Sequence, residues 1–498
     1  MVFAQRYKSY LHTVVQPRKG YLALLFAATL SACQTVPVER SEIADVIPMQ
    51  WPQTLLQNTA GAQQPHQMPW WEFVEDPLLR QIIGEALNYN RDLQMAVLRV
   101  EEAAAILQLR RADQWPTIGV DGQAARSRIP ADMSMTQRSA IGGDYGLSVG
   151  MSSWELDLWG RIRSLKDAAL EEFLAGTYAR HAVQASLVAE VARTYLSLQT
   201  LDEQIAIAER SIATRQESYR IFKRRHEVGA SSFLELTQVE TLLMQARVLA
   251  SQLKQERVDV ANALTVLVGK PLDFNAPGAI ANTTSSFKSI DVGLPSVVLL
   301  QRPDIVAAEH RIRAAEANVT AARAAYFPRI SLTTGAGTAS AQLSGLFEGG
   351  SGSWIFSPDI SLPIFDAGTR AANVEAARVR AEMAVVEYED VIQKAFREVS
   401  DALNHRYYWA EQVGLEARVV TVEQERTRLA ELRYNSGAVS YLEVLDAHRE
   451  LLSAKQALAR DRGNLRVSEV ELYSALGGGT QLPPGEVFTE QAVAVDSN

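Results

Sequence analysis

The sequence predicts an α+β protein built as a tandem duplication, in which each half runs helix, two strands, long helix, helix. Three observations predict this fold: residue matches at a constant offset, two long stretches without proline, and alternating apolar and polar residues after each aromatic-proline step. They divide the chain into a signal peptide (1–32), an extended N-terminal arm (33–76), a first repeat (77–270), a connector (271–301), a second repeat (302–478) and a C-terminal tail (479–498).

The first 32 residues have the features of a secretory signal peptide. They contain four basic and no acidic side chains, and an apolar run spans 21–30. The run ends in Leu-Ser-Ala before Cys33, which resembles the bacterial lipobox, and Cys33 is the only cysteine in the chain. We therefore expect a covalent lipid on Cys33, and Gln34 favours the outer membrane by resemblance to lipoprotein sorting rules.

The composition is that of a large folded protein, with 47% hydrophobic and 21% charged residues. The formal net charge is -9, from 49 basic and 58 acidic residues. Loss of the four basic residues of the signal peptide makes the mature charge about -13. An acidic chain argues against a nucleic-acid partner, because phosphates require a basic face.

Two proline-free stretches, 131–270 and 364–482, are rich in strong helix formers and predict very long helices. The segment from Gly160 to Gly229 contains no helix breaker, so a helix there would be about 100 Å long. Apolar residues recur along it at spacings of three and four, which favours coiled-coil-like packing. They are Leu187, Val191, Tyr195, Leu198, Leu201 and Ile205.

The strands are predicted where apolar and polar residues alternate. In the first half the apolar positions are Ile118, Val120, Tyr145, Leu147, Val149 and Met151. In the second half they are Ile330, Leu332, Trp354, Phe356, Ile360, Leu362 and Ile364. Each run is about as long as a transmembrane β-strand, which needs roughly 9–11 residues. A glycine- and serine-rich loop is expected between Gly345 and Ser353.

Five matches at an offset of 208 residues establish the duplication, because one spacing fits all of them. They are Gly160 with Gly368, Gly229-Ala230 with Gly437-Ala438, Leu234-Glu235 with Leu442-Glu443, Leu264 with Leu472, and Gly269 with Gly477.

Four strands cannot close a membrane barrel, because closure takes about eight strands or more. If the strands lie in a membrane, a dimer would supply eight and a trimer twelve. The alternation alone is equally compatible with a soluble four-stranded sheet that has one polar face.

Four blocks of residues, in order along the mature chain, resemble the lipoprotein branch of the TolC-like outer-membrane factors. They are Trp70-Trp71-Glu72-Phe73 with Asp76-Pro77-Leu78, Arg302-Pro303-Asp304-Ile305 through Phe327-Pro328, Pro363-Ile364-Phe365-Asp366-Ala367-Gly368, and Tyr434-Asn435-Ser436-Gly437 through Ala447. The resemblance implies a homotrimer whose twelve strands form an outer-membrane β-barrel, continued by a periplasmic α-helical barrel. It also implies two partners, a periplasmic adaptor protein and an inner-membrane proton-driven (resistance-nodulation-division, RND) pump.

The resemblance further implies a gate at the periplasmic tip of the helical barrel. The matching positions are Tyr434, Leu442, Glu443 and Asp446, with the two carboxylates on one helix face. In some family members an arginine stands two residues after the glycine, where this chain has Val439. The expected adaptor-contact residues flank the two helix-to-helix turns and are Val228, Gly229, Ala230, Ser436, Gly437 and Ala438. A simpler interpretation is that the two carboxylates lie on a solvated helix face and that the six turn residues only form the turns.

The favoured function is a passive efflux duct that needs no cofactor and catalyses no reaction. Two alternatives are a duct for one-step (type I) protein secretion and a periplasmic coiled-coil scaffold lipoprotein. An enzyme would rest on Ser251 and Lys254 alone, a Ser-x-x-Lys pair without its partner motifs.

Overall fold

The computed structural model describes residues 47–48, 68–135, 137–271, 287–290 and 299–481. Cys33, the signal peptide, most of the N-terminal arm and residues 482–498 of the tail lie outside the described residues. The expectations placed on them stay predictions.

The first half contains helices and strands in the predicted order. A short helix α1 (Trp70–Phe73) is followed by α2 (Pro77–Tyr89), α3 (Arg91–Ala112), strands β1 (Ile118–Ile129) and β2 (Ala140–Glu155), and helices α4 (Arg161–Glu227) and α5 (Phe233–Val268). The second half contains α6 (Pro303–Ala324), β3 (Arg329–Ser340), β4 (Gly352–Ser361), α7 (Thr369–Asn435) and α8 (Tyr441–Ala475). Single 3₁₀ turns cover Leu299–Gln301 and Leu343–Gly345.

The two long helices show the duplication in detail. Both α4 and α7 have 67 residues, about 100 Å of helix each. Both follow a left-handed glycine, Gly160 with φ 76° and Gly368 with φ 87°. An aspartate before each glycine, Asp157 or Asp366, accepts bonds from backbone N–H groups at the start of the helix. The predicted helix from Gly160 to Gly229 is confirmed.

The apolar stripe predicted along α4 forms a major part of the core. All six of its residues are buried, and Val191 and Leu198 are fully inaccessible. Buried polar groups lock neighbouring segments to this stripe. The Tyr195 hydroxyl donates to the Asp76 carboxylate at 2.9 Å, and Asp76 also accepts from the first backbone N–H groups of α2. None of the described helices is long and apolar enough to cross a bilayer.

The four strands form one antiparallel sheet in the order β1-β2-β3-β4. One face carries apolar side chains in cross-strand rows, such as Val120 opposite Val149 and Ala336 opposite Trp354. The opposite face carries small and polar residues, as in the row formed by Asp121, Ser148, Gly337 and Ser353. The apolar face is open, with Trp354 81% exposed. This two-faced pattern is the one that membrane strands require, with lipid on one side and water on the other.

The last strand is shorter than the alternation predicted. β4 ends at Ser361, so Leu362 and Ile364 continue the apolar pattern outside the ladder. Pro363 follows the strand closely and has no N–H to donate to a neighbouring strand, although the ladder tolerates Pro358 within β4. Both residues are exposed, Ile364 to 87%.

The polar face of the sheet is crowded at Gly337, which leads to a first prediction. A Cβ placed at Gly337 would lie 2.1 Å from the Leu147 carbonyl oxygen, whereas a Cβ at Gly119 on the same face meets nothing within 4 Å. Gly337→Ala should destabilise the folded sheet by about 1–3 kcal/mol, because the obstructing atom is backbone. Gly119→Ala is the matched control. The thermal midpoint of the purified protein, followed by β-sheet circular dichroism, should fall for Gly337→Ala only; equal midpoints would contradict the prediction.

Candidate functional site

The far ends of the long helices form two helical hairpins with matching turns. Hairpin 1 consists of α4 and α5, and hairpin 2 consists of α7 and α8. Gly229 and Gly437 both have φ 75°, a left-handed conformation that ends the preceding helix. The next residue's N–H bonds back to a helix carbonyl, Ala230 to Arg225 at 2.8 Å and Ala438 to Arg433 at 2.9 Å. The six residues expected to contact an adaptor are all exposed on these turns.

The helices that follow the two turns begin with the same Ser-x-x-Glu sequence but cap differently. In hairpin 1, Ser232 and Glu235 form a complete capping box: each side chain accepts a bond from the other residue's backbone N–H, at 3.1 and 2.9 Å. In hairpin 2, Ser440 has almost the same backbone angles, yet its side chain makes no cap bond. Glu443 instead accepts a hydrogen bond from Arg433 at 2.6 Å.

Two hydrogen bonds and an aromatic cluster join hairpin 1 to hairpin 2 near the turns. Arg225 of α4 donates to the Tyr434 hydroxyl of α7 at 2.5 Å. Tyr441 at the start of α8 donates to the Ser218 hydroxyl of α4 at 3.0 Å. Between these bonds, the buried Phe222 ring lies 4.3 Å from the Tyr441 ring, centroid to centroid. We call Arg225, Tyr434, Phe222, Tyr441 and Ser218 the tip tie.

The tip tie mixes buried and accessible contacts. Burial raises the pKa of Tyr441 above its ordinary value, so this hydroxyl stays protonated and available as a donor. The Arg225–Tyr434 bond, by contrast, is exposed. The guanidinium of Arg225 also lies 5.5 Å from the Phe222 ring centroid, within cation-π range. Water can therefore compete for one of the two bonds, whereas the other is sheltered.

The two carboxylates predicted for the gate are both engaged by arginines of hairpin 2. Glu443 pairs with Arg433, and Asp446 pairs with Arg426 at 2.6 Å and with Arg449. Two further carboxylates contact the same arginines, Glu423 beside Arg426 and Glu450 beside Arg449. Four carboxylates against three guanidinium groups give this cluster one net negative charge.

The structure thus places each predicted gate residue near the turn of hairpin 2. Tyr434 lies in the tip tie, Glu443 and Asp446 face arginines, and Leu442 is 56% exposed. Sequence reasoning missed Arg225 and regarded Val439 as the loss of an arginine contact. No signal in the sequence near Arg225 indicates this contact, and its counterpart at the repeat offset, Arg433, is not among the predicted site residues either.

The two hairpins are joined at this end of the molecule by noncovalent contacts. Within the described part of the chain, no group of three or more His, Cys, Asp or Glu side chains could hold a metal ion. Ser251 and Lys254 lie within α5, and the Lys254 ammonium pairs with Glu209 of α4 at 2.7 Å. Lys254 therefore forms a surface ion pair between the two helices of hairpin 1.

Comparison with known proteins agrees with this architecture. The model of the family described as "Outer membrane efflux protein" matches residues 82–270 and 294–478. The chain is 40% identical over 482 residues to the antibiotic efflux pump outer membrane protein ArpC of Pseudomonas putida, covering 95% of this chain and 99% of ArpC. It is 41% identical over 479 residues to the toluene efflux pump outer membrane protein TtgF of the same species, covering 95% of this chain and 99% of TtgF.

A solved structure shows the same fold. The open state of the MtrE outer membrane channel of Neisseria gonorrhoeae has a TM-score of 0.80 and 31% sequence identity, covering 90% of this chain and 98% of MtrE. The predicted fold class is confirmed, with four antiparallel strands, long helices and duplicated halves. This chain belongs to the outer membrane efflux protein family, and it is an outer-membrane efflux channel and not an enzyme.

Proposed function

We propose that this channel is the lipid-anchored exit duct of a tripartite efflux pump and works as a homotrimer. The observation that carries the proposal is a two-faced sheet of four strands, too few to close, that continues into two helices of 67 residues. Strands β1 and β4 stand at the edges of the sheet, each with one side unpaired among the described strands. Three copies would pair β4 of one chain with β1 of the next and form twelve strands.

The proposed partners are a periplasmic adaptor protein at the two turns and an RND-type pump in the inner membrane. Support comes from the names of relatives, which describe outer-membrane components of antibiotic and toluene efflux pumps. We propose small apolar or amphipathic toxic compounds as the cargo, because the names of these relatives point to antibiotics and toluene. A lipid on Cys33 would add an anchor beside the strands.

The proposed gate is closed when hairpin 2 packs against hairpin 1, and the tip tie holds the two hairpins together. Three chains would bring three copies of the tie and of Leu442, Glu443 and Asp446 around one axis. The arginine partners of the carboxylates support this arrangement, because unpaired like charges that close would repel each other.

Planar-bilayer conductance of the purified full-length protein tests the duct. We expect a small, cation-preferring conductance from a species that cross-links as a trimer, and loss of palmitate labelling in Cys33→Ser.

Deletion of the gene should increase retention of toluene or antibiotic by the host. If the deletion strain retained these compounds as the wild type does but no longer exported a protein, the result would favour type I secretion. A protein that stays soluble and non-conducting after delipidation would favour the scaffold.

A further inference from the structure

The two turns present the same capping sequence in two different side-chain states. Ser232 and Ser440 are both N-cap residues with φ -73°, and their ψ angles are 155° and 157°. Glu235 closes its capping box, whereas Glu443 is held by Arg433 and leaves Ser440 without a side-chain cap bond. The backbone of hairpin 2 is therefore already shaped for a capping box that its side chains do not form.

The difference has a visible cause in the positions of the two equivalent arginines. Arg225 corresponds to Arg433 at the offset of 208 residues. Arg225 is occupied by the Tyr434 hydroxyl of hairpin 2, so Glu235 is left to cap α5. The residue corresponding to Tyr434 in hairpin 1 is His226, whose Nδ1 lies 3.1 Å from the Ser231 carbonyl oxygen of its own turn. Arg433 therefore has no such aromatic hydroxyl to bind and takes Glu443.

We propose that Glu443 is a two-position residue that regulates the proposed gate. In one position it pairs with Arg433, as here; in the other it caps α8 through Ser440, as Glu235 caps α5 through Ser232. Rotation of one side chain connects the two positions, because the backbone angles at Ser232 and Ser440 already agree. The proposal rests on the proposed gate for its effect on conduction, but the exchange itself does not depend on the gate.

We expect the two positions to be close in free energy, so that both are populated. A surface ion pair and an N-cap interaction make contributions of similar size to stability. The Glu443 and Arg433 side chains are 40% and 56% exposed, so solvent screens their attraction. A small change near the turn can then shift the balance.

The two positions differ in how well they suit closure. Pairing with Arg433 neutralises the Glu443 carboxylate, which allows three copies to approach one axis. Capping releases Arg433 and leaves the carboxylate without its counter-ion, so repulsion between copies favours the open gate. Ser440 is thus a positioning residue for Glu443.

Hydrogen exchange on the full-length protein tests the exchange between positions. Arg433→Met should slow exchange of the Ser440 amide about fivefold, because Glu443 then accepts its bond. Arg433→Met/Glu443→Ala should restore wild-type exchange at residue 440, because the acceptor carboxylate is gone, and the Ser232 amide is the internal reference in every variant. An unchanged Ser440 amide in Arg433→Met would overturn the proposal.

Conductance tests the link to the gate. Ser440→Ala weakens the capped position and should lower the open fraction up to about fivefold, whereas Ser232→Ala in hairpin 1 should leave it unchanged. Equal open fractions in these two variants would overturn the regulatory half of the proposal. A wild-type protein that does not conduct would instead refute the duct, and the exchange data would still decide whether Glu443 has two positions.

Discussion

Tyr434→Phe should convert the channel from mostly closed to mostly open in a planar bilayer. The substitution keeps the ring packed beside Phe222 and Tyr441 and removes only the hydroxyl that accepts from Arg225. A hydrogen bond to a charged donor contributes about 1.5–3 kcal/mol when buried, and this exposed one is placed near 1 kcal/mol. Three copies that open together would shift the equilibrium by about 3 kcal/mol, roughly a hundredfold in the ratio of open to closed channels.

The matched control is Tyr408→Phe on the same helix. The Tyr408 side chain is 53% exposed, and its ring contacts only the neighbouring Tyr407 ring among the described aromatic pairs. It should leave conductance at the wild-type level. If Tyr434→Phe behaved like Tyr408→Phe, the Arg225–Tyr434 bond would have no part in closure.

Arg225→Met offers an independent approach to the same bond from hairpin 1. It should open the channel about as far as Tyr434→Phe does, and the double variant should open it little further, because both changes remove one interaction. Full additivity in the double variant would assign the two residues to separate interactions. The same cycle with Ser218→Ala and Tyr441→Phe would measure the sheltered bond of the tip tie.

Patterns in this sequence predict its helices and strands better than its side-chain contacts. The proline-free stretches and the repeat offset of 208 residues define α4 and α7, because helix propensity and helix breakers act on residues that are close in sequence. The strand faces follow from alternation for the same reason. The early end of β4 does not follow from proline alone, since Pro358 lies within the strand and Pro363 just beyond it.

The tip tie depends on which residues of distant helices come into contact, and a single sequence does not contain that information. Arg225 and Tyr434 are 209 positions apart, and nothing near either residue indicates the other. The different states of Glu235 and Glu443 show the same limit. Both belong to a Ser-x-x-Glu sequence, yet Glu235 caps its helix whereas Glu443 accepts a bond from Arg433.

The charge at the turn of hairpin 2 leads to the second large effect, a reversal of ion selectivity. In each chain this cluster sets Glu423, Glu443, Asp446 and Glu450 against three arginines, so the cluster has a net charge of minus one. Glu443→Ala/Asp446→Ala leaves two carboxylates against the same three arginines, a net charge of plus one. In a trimer the constriction would change from three negative charges to three positive charges, and a charged ring selects ions of the opposite sign.

Reversal potentials in a salt gradient measure this change directly. Wild type should prefer potassium over chloride, and Glu443→Ala/Asp446→Ala should prefer chloride, with the difference reduced at high salt because exposed charges are screened. The equivalent positions of hairpin 1, changed as Glu235→Ala/Gln238→Ala, provide the control and should retain cation preference. Chloride preference in neither variant would place the narrowest part of the duct away from these carboxylates. Chloride preference in both would mean that the two hairpins contribute equally to the constriction, against the assignment of the gate to hairpin 2.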